Sequence, residues 1–113
     1  MQRLVAGDVG SGKTVIAALA AVRAVENGFQ AAVMAPTEIL AQQHYKKLSA
    51  WLTALGVNIV FLAGSLSGPD KKAALKSIAD GTAQIAVGTH ALIQEGVHFK
   101  NLGLAVIDEQ HRF

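Results

Sequence analysis

The chain has 113 residues, a formal net charge of +2, no cysteine and 51% apolar residues. That length suits one domain with a sizeable core, and the absence of thiols excludes a disulfide framework and a thiolate metal site. So slight a basic balance identifies no nucleic-acid partner, no apolar run approaches the roughly 20 residues of a membrane span, and no signal-peptide layout opens the chain, so a cytoplasmic protein is expected.

Apolar runs and helical patterns alternate along the chain. Arg3 to Ala6 reads as a first strand and Lys13 to about Asn27 as a first helix, with Ile16, Leu19, Ala20, Val22 and Arg23 on its inward face. Gly28 is a natural stop just past it. Gln30 to Met34 is a second strand. Thr37 caps a second helix that runs to about Leu55, with Leu40, His44, Leu48, Trp51 and Leu55 on one stripe and Gly56 at its end. Trp51 is therefore expected in the core. Val57 to Leu62 is a third strand, followed by a polar turn from Gly64 to Gly68. Pro69 takes a first-turn position of a helix reaching Asp80. Gln84 to Val87 is a fourth strand, Thr89 to Gln94 a short helix, and Leu102 to Ile107 an almost wholly apolar fifth strand. Alanine, valine and leucine dominate, which suits strands covered on both faces. Strands alternating with helices predict an α/β fold with a parallel sheet and right-handed crossovers. Ligands in such folds bind beyond the carboxyl ends of the strands. Gly7 to Thr14, Ala35 to Glu38, Gly88 to His90 and Asp108 to His111 all fall at that edge.

Gly7-Asp8-Val9-Gly10-Ser11-Gly12-Lys13-Thr14 follows the first strand and opens the first helix. It reads G-x-x-x-x-G-K-T, the phosphate-binding P-loop, in the strand–loop–helix setting the motif requires. Gly7, Gly10 and Gly12 let the backbone approach an anion closely. The amides from Gly10 to Thr14 are expected to converge at the positive end of the helix. Lys13 would set a point charge on the β- and γ-phosphates, and Thr14 would offer its hydroxyl to Mg²⁺. Val106-Ile107-Asp108-Glu109 supplies the second half of such a site. Asp108 would hold Mg²⁺, and Glu109 would orient or deprotonate the attacking water. Alone, two acids after a strand read equally as a solvated turn. The Glu beside the metal Asp favours hydrolysis of a nucleotide over transfer to a small acceptor, so a P-loop kinase and a non-enzymatic nucleotide switch are the rival readings.

Asp108-Glu109-Gln110-His111 after a P-loop resembles the DExH signature of superfamily 2 helicases. GDVGSGKT at 7–14, MAPTEILAQQH at 34–44, VGTHALIQ at 87–94 and IDEQHRF at 107–113 are most similar to the RecG family of branch-migrating DNA helicases. The transcription-repair coupling factors share similar stretches. The resemblance covers essentially the whole chain and implies the part of a RecA-like N-terminal motor lobe between helicase motifs I and II. It implies ATP and Mg²⁺ as cofactors, branched DNA and a second RecA-like lobe as partners, and a role in recombination and replication-fork repair. Carried over by residue, Lys13 and Thr14 serve phosphate and metal, and Asp108 and Glu109 serve metal and water. His111 links the nucleotide site to the opposite lobe or motif III, or is a solvated strand-end histidine. Pro36, Thr37 and Glu38 match motif Ia, and Thr89 and His90 match motif Ic. Gly64 and Ser65 sit where the family has a further turn. These segments touch the nucleic-acid backbone in related helicases, and short hydroxyls and helix-start amides suit contacts that carry no sequence information. Thr37 reads equally as a plain helix cap. Lys46, Lys47, Lys71, Lys72 and Lys76 read as solvated helix faces.

Both ends look cut, and the chain is expected to be a piece of a larger one. Motif III, the second lobe with its arginine finger and a branch-reading wedge domain are not in the sequence. The fragment alone is expected to bind nucleotide phosphates weakly, to hydrolyse ATP negligibly and to unwind nothing. The resemblance also places the motif III strand between those of motifs I and II. Val5 and Val106 are therefore expected about 10 Å apart, two strand spacings rather than one of about 4.8 Å. An open slot in the sheet would be aggregation-prone.

Overall fold

The computed structural model describes residues 3–7, 13–64, 66–93 and 97–108. Strands β1 (Arg3–Gly7), β2 (Gln30–Met34), β3 (Ile59–Leu62), β4 (Ile85–Gly88) and β5 (Leu102–Asp108) alternate with helices α1 (Lys13–Glu26), α2 (Glu38–Leu52) and α3 (Gly68–Asp80). Short 3₁₀ turns follow at Thr53–Leu55 and His90–Ile93. The local chemistry that sets these bounds is the one the sequence shows. Thr37 Oγ1 accepts from the Leu40 amide at 3.2 Å and Ser67 Oγ from the Asp70 amide at 3.3 Å, each satisfying a donor the first helical turn cannot. Gly28 and Gly56, at φ +86° and +80°, take the left-handed conformation that lets the chain leave a helix.

All strand pairs are parallel, in the order β1-β5-β2-β4-β3. From β1 through β2 to β3 the chain moves one way across the sheet, with α1 and α2 on one face. From β3 to β4 it turns back, and α3 lies on the other face. A constant right-handed crossover requires this change of face when direction reverses. Strand residues alternate accordingly. Ala31, Val33, Ile85, Val87, Leu104 and Val106 face α1 and α2. Ala32, Met34, Leu62 and Ala86 pack with Ala74 and Ile78 of α3 and with Leu92.

Three expectations are corrected. First, α1 turns its small side inward: Ala17, Ala18 and Ala21 are buried, whereas Ile16 and Leu19 are each 66% exposed and Arg23 is exposed as well. Alanines let the helix axis approach the valine-rich sheet; larger side chains there would hold it off. Second, the buried stripe of α2 is Ala41, His44, Leu48 and Leu52. Both stripes fit the 3.6-residue turn, but Leu52 takes the inward position after Leu48, so Trp51 falls on the flank and is 42% exposed, with Leu55 at 66%. Third, β1 and β5 are neighbours, with Val5 opposite Val106. No slot separates them. Among the described residues no further strand is available to stand between them, and pairing β1 on β5 satisfies the backbone groups that β5 would otherwise leave open.

The amino end of the sheet is fastened by side-chain amides. Gln30 is 5% exposed. Its Nε2 donates to Ile78 O at 3.0 Å and Ala83 O at 2.8 Å, and its Oε1 accepts from the Asn101 amide at 2.8 Å. Asn101 Nδ2 donates to Gly28 O at 2.8 Å, and the Asn58 amide donates to Gln84 Oε1 at 2.9 Å. One clasp thus joins the starts of β2, β5, β4 and β3. Among the described residues no helix is long and apolar enough to cross a membrane.

Candidate nucleotide and nucleic-acid site

Strand register determines what meets at the carboxyl edge. Ala6 pairs with Ile107, Ile107 with Met34, Met34 with Gly88 and Gly88 with Leu62. These five residues form one row across the sheet, and every segment singled out from the sequence leaves from just beyond it. Gly7 and Asp108 are a register pair on adjacent strands, about 5 Å apart. The opening of the G-x-x-x-x-G-K-T loop and the acid that ends β5 therefore stand side by side. Lys13 and Thr14 begin α1, whose amino end carries no acidic residue in its first turn to oppose an anion. The expected site residues Asp8, Val9, Gly10, Ser11, Gly12, Ser65, Glu109 and His111 lie outside the described residues.

The remaining segments collect along the other half of the row. β2 leads into Ala35, half-buried Pro36, exposed Thr37 and half-buried Glu38; β4 into half-buried Thr89 and exposed His90; β3 into buried Ala63 and exposed Gly64. Strand order thus divides the edge. The two nucleotide-type segments occupy β1 and β5, and the three turns occupy β2, β4 and β3. At about 4.8 Å per strand the three turns span roughly 10 Å. Thr37 reconciles its two readings chemically. Its oxygen accepts the Leu40 amide as a cap, which leaves the hydroxyl proton to donate elsewhere. Glu38 complements the positive end of α2. Lys46, Lys47, Lys71, Lys72 and Lys76 lie on exposed helix faces.

Gly88, the last residue of β4, carries no role in the sequence reading. A Cβ built on it would overlap the Leu62 carbonyl oxygen and stand 3.2 Å from Leu92 Cγ. A glycine interrupting an apolar strand pattern is the sequence signal for such a close backbone approach.

Cavities of about 430 and 240 Å³ open at the opposite, amino end, around Phe29, Val97 to Leu102 and the Gln30 clasp. They lie at the wrong end of a parallel sheet for its usual ligand position and are floored by the amides that hold the strands. No group of three or more potential metal ligands occurs among the described residues.

A parallel sheet with helices on both faces and a G-x-x-x-x-G-K-T sequence between its first strand and first helix is a RecA-like P-loop fold. Comparison with known proteins narrows the class. The sequence matches the DEAD/DEAH box helicase family over residues 2–113, and the chain belongs to that family. It is 57% identical over 113 residues to the ATP-dependent DNA helicase RecG of Aquifex aeolicus, covering 100% of this chain and 14% of that protein. To the RecG of Haemophilus influenzae it is 55% identical, and to that of Escherichia coli K12 54%, each over 100% of this chain and 16% of the relative. The solved structure of RecG bound to a three-way DNA junction superposes with a TM-score of 0.85 at 50% identity, over 100% of this chain and 16% of that one. The chain therefore spans 14 to 16% of the length of these relatives.

Proposed function

We propose that these residues are part of the N-terminal motor lobe of an ATP-dependent helicase that remodels branched DNA. The observation that carries this reading is the 57% identity over 113 residues, the whole of this chain, to a RecG helicase. The common edge supports it, since the segments expected to serve nucleotide and nucleic acid emerge from one row of the sheet. Lys13 and the loop amides hold the β- and γ-phosphates. Thr14 and Asp108 would hold Mg²⁺; a hydroxyl and a carboxylate are the hard oxygen donors that ion prefers, and Gly7 beside Asp108 brings their segments together. When bound, the metal neutralises charge on the phosphates. Glu109 orients the attacking water and accepts its proton. His111 couples this end to the neighbouring lobe. Pro36, Thr37, Glu38, Gly64, Ser65, Thr89 and His90 lie along the DNA backbone, and a second RecA-like lobe closes over both ligands. The work belongs to recombination and replication-fork repair in the cytoplasm. The 113 residues alone hydrolyse ATP negligibly, because the closing lobe with its arginine finger lies outside them.

The test is ATP hydrolysis by the intact protein without DNA, with linear duplex and with forked DNA. Strong stimulation by the fork, abolished by Lys13→Ala, is expected. Turnover indifferent to every DNA refutes the helicase reading and leaves a P-loop enzyme of another kind.

A further inference from the structure

The three turns beyond β2, β4 and β3 meet at one residue. Gly88 O accepts from the Ala35 amide at 2.9 Å, which fixes the start of the Pro36–Thr37 turn. On its other side Gly88 is paired with Leu62, one residue before Ala63 and Gly64. It is followed directly by Thr89, whose carbonyl accepts from the Leu92 amide at 3.1 Å and closes the 3₁₀ turn. Gly88 is buried among these elements. A methyl group at this position meets the Leu62 carbonyl oxygen below contact distance, Leu62 C at 3.3 Å and Leu92 Cγ at 3.2 Å. The first two are backbone atoms held in the sheet, so they cannot swing aside as a flexible side chain would.

We infer that Gly88 is a positioning residue: its missing side chain sets the spacing of the Ala35–Thr37, Ala63–Gly64 and Thr89–His90 turns, and so their fit to successive phosphates of a nucleic-acid strand. This rests on the helicase reading above and adds to it a residue that itself touches no ligand. The three turns span roughly 10 Å, about three steps of axial rise of a nucleic-acid strand at ~3.4 Å each. Any side chain at 88 drives the end of β3 and the 3₁₀ turn apart. The disturbance falls within that span. β1 and β5, which carry the nucleotide-type segments, are separated from β4 by β2.

The amino end of the same sheet supplies a matched control. A Cβ on Gly103 of β5 would lie 2.5 Å from Phe29 Cβ and Cγ. Gly103→Ala therefore imposes comparable crowding far from the three turns. Gly88→Ala and Gly103→Ala are made in the intact protein, and fork-stimulated ATP hydrolysis is titrated against DNA and against ATP at several salt concentrations. Gly88→Ala is expected to raise the DNA concentration for half-maximal stimulation about tenfold, with a much smaller change in the KM for ATP. The salt dependence of DNA binding should fall by about one unit of slope for each phosphate the displaced turns no longer reach. Gly103→Ala is expected to lower the Tm and leave the half-saturating DNA concentration unchanged. If Gly88→Ala does not fold, the double variant Gly88→Ala, Leu92→Ala, which removes one obstructing atom while the Leu62 backbone still meets the added methyl, carries the test with the same expected DNA phenotype. Stimulation of the unaltered protein with no DNA phenotype in the folded variant overturns the positioning role alone. Equal DNA phenotypes for the Gly88 and Gly103 variants overturn it as well. An unaltered protein that ignores DNA overturns the helicase reading and this inference together.

Discussion

Replacing Gln30 by leucine tests whether the amide clasp holds the sheet together. Leucine keeps the approximate volume and removes three hydrogen bonds, those from Nε2 to Ile78 O and Ala83 O and that from the Asn101 amide to Oε1. Ile78 O keeps the Lys100 amide at 3.4 Å. Ala83, 1% exposed, has no water to turn to, and its orphaned carbonyl costs about 2 kcal/mol. Asn101 is exposed, so its amide costs about 1 kcal/mol at the low end of the same range. Extra apolar burial by leucine returns about 1 kcal/mol. The net loss is about 2 kcal/mol. At a urea m-value of about 1.3 kcal/mol/M for a domain this small, the midpoint falls by about 1.5 M. Urea unfolding of the 113-residue chain followed by far-UV circular dichroism reads this directly. Gln30→Glu adds a second, pH-dependent arm. It turns a carboxylate oxygen toward two carbonyls, so burial raises that carboxyl's folded pKa above its unfolded value near 4.3. The penalty is full at pH values above the folded pKa and fades as the pH falls and the proton can donate to a carbonyl. The variant should therefore recover relative to wild type between pH 7 and pH 5. A Gln30→Leu loss below about 0.5 kcal/mol, or a Gln30→Glu variant indifferent to that pH change, refutes the clasp.

The inward face of α1 is tested by a pair of substitutions. Leu19→Gln, at an exposed position, should change stability by less than about 0.5 kcal/mol, whereas Ala21→Leu, at a position with 0% exposure, should cost about 2 kcal/mol or more by overpacking. Equal urea midpoints for the two would reverse the face. Thr37→Ala should cost about 1 kcal/mol through the lost cap and Thr37→Ser little; a harmless alanine would show that the cap contributes nothing to α2. Asp80 is held below its ordinary value of 3.8 by hydrogen bonds from the Thr82 side chain and backbone, with Lys76 and Lys100 adding to the effect. A depressed folded pKa contributes stability that is present above the unfolded value and lost as the pH falls through the folded one. Unfolding midpoints of wild type and Asp80→Ala should accordingly converge on the acid side of the ordinary aspartate range, and an NMR titration of the Asp80 carboxyl at or above 3.8 would contradict the Thr82 hydrogen bonds.

The sequence by itself determined the order and type of the elements, the cap at Thr37, the parallel sheet and the edge at which Gly7, Thr37, Thr89 and Asp108 emerge. Those features depend on local chemistry: side-chain periodicity, glycine and proline punctuation, and the rule that successive parallel strands point the same way. Only the tertiary structure decided which side of a feature wins when local signals tie. α1 is apolar nearly all round, so periodicity could not choose between Ile16 and Ala21, and close approach to the sheet chose alanine. Trp51 is apolar enough for a core, yet packing on the sheet takes Leu52 inward and leaves Trp51 on the flank. Gln30 looked like an ordinary first residue of a strand. Its worth lies in carbonyls 48 and 53 residues away. The pairing of β1 with β5 was likewise invisible along the chain, because a strand's neighbour is set by which backbone groups remain to be satisfied. Gly88 belongs to the same class: a glycine in an apolar strand signals a close backbone approach, but only the structure shows that the Leu62 carbonyl fills the space where its side chain would stand.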